Sequence, residues 1–413
     1  MGYSIDESIK SPIRRLGKQV KILLIVVFTA VAFRSLGMSI VDIGLPSFIL
    51  SLAGTLSSFG IVIGIFSVVQ SIFQFPFAAA SDKFGRRKIV MIGLIIYISG
   101  TFLCFFAQNI TQLIIFRAIQ GAGAYTSILQ AVIGDIFRKD EHGRGMGYYS
   151  LAMNIGYFGG IVVGGYISSY LGFRSIFSIS GVLICVTALL LFLILNEKKE
   201  NQNLTNHNNN YKKNDMSFNL KNIKTLLKEF QYIISVSFNS VRWFIFGGIV
   251  AYLIWVLQVH FNLSEIESSY VLIFIVALYI GFIFIASRIL DRYGPRKIIL
   301  IGVSIVTIFG LAFFFVNFIN NLIVFIIVTS FIGIGIALID PAGNALLLNV
   351  IEDINPDLKG SGIGFNNAFG FFISAIAPIV ICILGEVYVF FPFYIILVLM
   401  VFSFIIVYKF AQR

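Results

Sequence analysis

Charge is the scarcest property of this sequence for its length. Only 12% of its 413 residues are Asp, Glu, Lys or Arg, about half the share a water-soluble domain carries, which excludes an ordinary soluble fold. Cysteine is nearly absent. Cys104, Cys185 and Cys382 stand alone in apolar stretches without CxxC spacing, so they read as buried small hydrophobes rather than disulfides or thiolate ligands. Three scattered histidines add no metal site. No Walker loop or catalytic dyad occurs, so an enzyme or ATP-driven pump is disfavoured and no cofactor is expected.

What the chain has in abundance is apolar length. Hydrophobic residues make up 58% of it and the mean hydropathy is +0.94. A membrane-crossing helix needs about 20 mostly apolar residues. That rule predicts twelve spans, near 22–45, 56–80, 88–107, 111–137, 144–170, 173–195, 232–259, 266–287, 297–316, 320–350, 359–385 and 388–410. The first is too long for a signal-peptide core and lacks a cleavage site, so it is expected to remain as a span. The expected fold is an all-α integral membrane protein of two six-helix bundles, 1–195 and 232–413, joined by a linker, 196–231.

The net charge of +11 does not point to nucleic acid, because of where it lies. Of the 30 Lys and Arg, 26 fall in segments that alternate spans assign to one side of the membrane. The positive-inside rule then places both termini in the cytoplasm and the chain in the plasma (cytoplasmic) membrane, in contact with lipid. The linker opens with a polar tract, 201–210, rich in Asn, which cannot pack and reads as a flexible tether. After it, Leu220, Ile223, Leu227 and Phe230 share a helical face opposite Lys221, Lys224 and Lys228. That pattern predicts an amphipathic helix on the cytoplasmic membrane surface.

One loop recurs. Asp82-Lys83-Phe84-Gly85-Arg86-Arg87-Lys88 joins spans two and three, and Asp291-Arg292-Tyr293-Gly294-Pro295-Arg296-Lys297 joins spans eight and nine, 209 positions later. Gly302 likewise matches Gly93. A loop copied half a chain apart implies a duplicated bundle.

With Arg117-Ala118-Ile119-Gln120-Gly121-Ala122-Gly123 in span four, these motifs resemble those of the major facilitator superfamily. The glycines of span five, Gly147, Gly156, Gly160, Gly164 and Gly165, resemble the packing signature of its 12-span drug:proton antiporter branch. Ile161 stands at that signature's proline position, and Pro378 occupies the equivalent place in span eleven. The resemblance implies two pseudo-symmetric six-helix halves that alternate in access. It also implies a gate made by Asp82, Gly85, Arg86, Arg87 and Asp135, echoed by Asp291, Gly294 and Arg296. Asp82 would cap the N-terminus of span eleven, and Arg86 would pair with Asp135. Topological anchoring by surface charge is the plainer alternative.

Charges inside spans cost about 2.5–3.5 kcal/mol on insertion scales and mark functional candidates. Arg34 and Arg242, 208 positions apart, are expected as symmetry mates facing a cavity, with Gln120 as a further substrate-binding candidate. Asp42, Asp340 and Arg117 are the proton-coupling candidates, since a carboxylate withdrawn from water can exchange protons near neutral pH. The expected function is proton-coupled efflux of lipophilic or drug-like molecules by a monomer. Alternatives are an organic-anion or phosphorylated-metabolite carrier held by Arg34 and Arg242, and a non-transporting membrane sensor.

Overall fold

Long apolar runs become helices because hydrocarbon offers backbone N–H and C=O groups no other partners. The computed structural model describes residues 18–136, 142–194, 220–319, 321–355 and 358–410. Thirteen helices occupy them: α1 (Lys18–Ser51), α2 (Leu56–Phe84), α3 (Arg86–Phe105), α4 (Ile110–Ala122), α5 (Thr126–Ile136), α6 (His142–Leu171) and α7 (Ser175–Ile194) come first. They continue as α8 (Leu220–Leu226), α9 (Phe230–Trp255, extended by a π turn through His260), α10 (Glu265–Ile319), α11 (Leu322–Ile354), α12 (Lys359–Val387) and α13 (Phe391–Phe410). Ten stretches among the described residues are long and apolar enough to cross a membrane, and Phe391–Ser403 is a shorter apolar helix.

One difference from the expected spans has a local cause. Span four is not one helix but two, α4 and α5. Gly123 leaves helical geometry (φ −75°, ψ 53°), and the chain makes two tight turns, Ala124 N–H to Ala122 O and Tyr125 N–H to Gly123 O, both 2.9 Å. The break follows from close approach: the Gly93 carbonyl and the Tyr97 amide stand 2.5 and 2.6 Å from where a Cβ on Gly123 would sit. Spans eight and nine, both within α10, are two helices as expected: Gly294 leaves helical geometry between them (φ +75°, ψ 158°), and its φ lies near the +93° of Gly85. L-residues with a Cβ avoid that region, so both copies of the loop require glycine.

The described residues fall into two compact units. Within the described residues, one holds 18–44 and 72–194; the other holds 220–410 together with 45–71, the hairpin that joins α1 and α2. In the first unit α3 packs on α4 and α7, and α5 on α6. Gly156, Gly160 and Gly164 of α6 lie directly on Ala32, Leu36 and Ile40 of α1, the close backbone approach by which small residues drive helix association in lipid. In the second unit α9 packs on α12, and α10 on α11 and α13. Gly302 and Gly335 meet there backbone to backbone, as Gly93 and Gly123 do in the first.

The hairpin is fixed into the second unit along α12. Gly60 abuts the Pro378 carbonyl and Cys382, and Gly64 abuts Ile379. Glu386 accepts from the Ser57 N–H (2.8 Å) and the Thr55 hydroxyl (3.2 Å) at the start of α2. Ser47 donates to Glu265 (2.6 Å).

The linker helix packs on the second unit. α8 buries Ile223 and Leu226, and Leu226 joins a core with Tyr232, Val236, Leu347, Ile351 and Leu358. Leu227 and Phe230, expected on the membrane-facing side with Ile223, are exposed. The helix stops at Leu226 and the chain turns, with Glu229 N–H bonded to Leu226 O (3.0 Å), before α9 begins. The polar tract 201–210 lies outside the described residues.

Candidate functional site

The in-span charges gather into two clusters, one in each unit. In the first, Arg117 of α4 is buried (3% exposed) and donates from Nη1 to Gln120 Oε1 (2.8 Å) on the next turn. Gln120 Nε2 donates to the Thr101 hydroxyl of α3 (2.8 Å), which donates to the Tyr97 carbonyl (2.7 Å). Both ends of the Gln120 amide are therefore engaged within the protein. Asp42 of α1 accepts from the Tyr157 hydroxyl of α6 (3.3 Å) and lies within electrostatic reach of Arg117. Arg117, Gln120 and Asp42 thus belong to one neighbourhood.

Arg34, two turns below Asp42 on α1, is placed differently. Its guanidinium lies 6.0 Å from the ring centres of both Tyr97 and Tyr125, and its charge also acts on Tyr149 of α6. Among the described residues no carboxylate pairs with it, and its buried Nε has no hydrogen-bond partner. The Tyr125 hydroxyl, fully buried, is likewise without one. Two residues beyond the break at Gly123, the Tyr125 ring stands edge-on to Tyr97, 5.9 Å between centres.

In the second unit Arg242 of α9 is well satisfied. Its Nη1 donates to the carboxylate and to the backbone carbonyl (2.7 Å) of Asp340, and Nη2 donates to Asn344 Oδ1 (2.9 Å). Asp340 precedes Pro341 in α11, and Asn344 lies one turn beyond it. Trp243 carries the guanidinium 5.7 Å from its ring centre and rests on Phe371. Arg34 and Arg242, matched by sequence position, have unlike surroundings.

In the repeated loop, Arg87 Nη2 donates to the Phe192 carbonyl (3.0 Å) near the C-terminus of α7, with the guanidinium 4.5 Å from the Phe192 ring centre. Arg296 does the same to Tyr408 near the C-terminus of α13 (3.1 Å), 6.0 Å from its ring. A cation there complements the negative end of each helix dipole. Arg86 opens α3. The side chains of Asp82, Asp135 and Asp291 lie outside what is described, so the expected contacts of Asp82 and Arg86–Asp135 do too. Gly147 lies in α6, Gly165 is buried there, and Pro378 sits within α12 against Gly60. Among the described residues no group of His, Cys, Asp or Glu could hold a metal ion.

Sequence reasoning missed Tyr97, Tyr125, Tyr149 and Asn344. Only Tyr125 and Asn344 carried a sequence signal: the first follows the span-four motif by two residues, the second follows Asp340 by one helical turn.

Comparison with known proteins adds a family. The Major Facilitator Superfamily profile matches residues 27–378. Inner membrane transport protein YajR of Escherichia coli (strain K12) is 30% identical over 156 residues, 38% of this chain but only 34% of that protein. Two further relatives are matched over 40% of their own lengths. Multidrug resistance protein 2 of Bacillus subtilis (strain 168) is 25% identical over 387 residues, covering 90% of this chain and 91% of that one. Among solved structures, a bacterial homolog of the human lysosomal transporter Spinster superposes with a TM-score of 0.76 at 14% identity, covering 96% of this chain and 98% of that one. At that identity the likeness is one of fold.

Proposed function

The chain belongs to the Major Facilitator Superfamily, and on that premise we propose that it exports lipophilic, drug-like organic compounds by alternating access, driven by protons. It is a multi-pass membrane transporter rather than an enzyme. The observation that carries the proton reading is the Arg242–Asp340 pair inside the spans of the second unit. Protonating Asp340 would remove its negative charge yet leave Arg242 two neutral acceptors, the Asp340 carbonyl and Asn344. A coupling site needs that property, because neither protonation state then strands a cation in low dielectric. The full-length likeness to Multidrug resistance protein 2 supports the export direction and the substrate range. Charge asymmetry supports cytoplasmic termini in the plasma membrane, and a monomer suffices for this scheme.

A clamp of Arg34 and Arg242 around one anion is less favoured, since Arg242 is engaged by Asp340 and Asn344. Proteoliposomes test the proposal. Counterflow of labelled solute separates a carrier from a sensor. A pH gradient should drive uphill movement in the wild type, whereas Asp340→Asn should keep exchange and lose uphill accumulation. Uphill transport at the wild-type rate in Asp340→Asn would remove that carboxylate from coupling.

A further inference from the structure

We propose that Arg34 and Tyr125 form the anion-recognising part of the substrate site, and that the preferred substrate is a lipophilic organic compound bearing one negative charge, such as an aromatic carboxylate. This rests on the transporter reading above and narrows its substrate class.

The argument begins with unequal satisfaction of the three in-span arginines. Arg242 has a carboxylate, a carbonyl and an amide oxygen. Arg117 donates to Gln120 and has Asp42 within electrostatic reach. Arg34 is half-buried with only the two tyrosine rings at 6.0 Å, the outer limit of a useful cation–π contact. A guanidinium at that depth without an anion is costly, and its buried Nε–H remains undonated.

A second observation points to the same ligand. The Tyr125 hydroxyl is fully buried and also lacks a partner, although its ring is one of the two facing Arg34. Buried polar groups are rarely left unpaired, and those that are call for an explanation. A carboxylate supplies what both lack: one oxygen to accept from Arg34, another from Tyr125. One guanidinium balances one negative charge. A phosphate monoester, doubly charged, would need a second cation, and Arg117, the other arginine within electrostatic reach of Tyr97, already faces Asp42.

The test uses the purified protein and three probes that share one naphthalene ring: 2-naphthoate, its near-isostere 2-naphthamide, and 2-naphthyl phosphate. Thermal shift against probe concentration gives apparent affinity, since binding raises the folded state's stability by mass action. Naphthoate should bind about tenfold or more tightly than the neutral amide, because the amide leaves the guanidinium uncompensated. The phosphate should bind more weakly than naphthoate. Tyr125→Phe, which keeps the ring, should lose about tenfold toward naphthoate and nothing toward the amide. Arg34→Lys should weaken naphthoate by losing the planar fork although the charge remains.

Equal affinity for naphthoate and naphthamide overturns the proposal, as does undiminished naphthoate binding in Tyr125→Phe or the absence of any naphthoate binding. Naphthoate counterflow in proteoliposomes then separates the two readings. If naphthoate binds and exchanges but a pH gradient does not drive it, proton-coupled export fails and the anion site stands. If neutral or cationic lipophiles are driven uphill while naphthoate is ignored, the anion site fails and the export reading stands.

Discussion

Arg242 holds Asp340 at two points, its carboxylate and its own backbone carbonyl. The carbonyl contact survives any change at the carboxylate, which makes the pair asymmetric toward mutation. Asp340→Asn should fold with little loss. Arg242→Ala should leave the carboxylate without its cation and lower stability by about 1–3 kcal/mol, less than the about 3–5 of a fully buried pair, because 35% of the Asp340 side chain is exposed. Thermal unfolding in detergent distinguishes them, and equal losses would show that the carbonyl contact does not hold Arg242.

Glu386 links α12 to the start of α2 through Ser57 and Thr55, and Cys382 lies one turn away on the same seam, buried against Gly60. If this carboxylate helps to hold the seam shut, Glu386→Ala should raise the rate at which a maleimide modifies Cys382 by about two- to fivefold, the scale of a helix-terminus charge effect. Site-resolved mass spectrometry keeps the signal apart from Cys185, which is already exposed. An unchanged Cys382 rate would mean that glycine packing alone closes the seam.

Arg87 and Arg296 make the same contact in two units, to Phe192 and Tyr408. Each alanine variant should lower the unfolding midpoint modestly, by about 0.3–1 kcal/mol. The double variant should show the sum, since sites in separate units with no shared partner add. A loss of transport much larger than this loss of stability, with the protein still folded, would favour the gating role over helix capping.

Most spans were legible in the sequence because hydrocarbon thickness imposes their length, and Gly85 and Gly294 were legible because a repeated loop exposed them. The break at Gly123 was not. Arg117 to Gly123 reads as uninterrupted helix, and nothing local shows that Gly123 lies against the backbone of α3. The pairing of Arg242 with Asp340 was equally hidden, since 98 residues separate them and no local pattern joins them. The docking of α8 was hidden as well, since no local pattern shows that Leu226 packs with Tyr232, Leu347 and Ile351. Local rules located the charged residues; tertiary packing decided which of them were left without partners.

Two adjacent glycines on α6 give opposite predictions from one substitution. At Gly160 an added methyl group would collide with the Leu36 carbonyl and Ser39 hydroxyl of α1, whereas at Gly159 nothing stands within 4 Å. Backbone cannot yield as a flexible side chain can, so Gly160→Ala should force α1 and α6 apart and cost about 1–3 kcal/mol. Gly159→Ala meets no neighbour and replaces a poor helix former with the best one, so it should be neutral or stabilise by up to about 1 kcal/mol. Melting curves of the two purified variants, measured beside the wild type, decide the point. A destabilised Gly159→Ala would indicate a neighbour on that side of α6, and a stable Gly160→Ala would mean that the α1–α6 crossing is looser than its backbone contacts require.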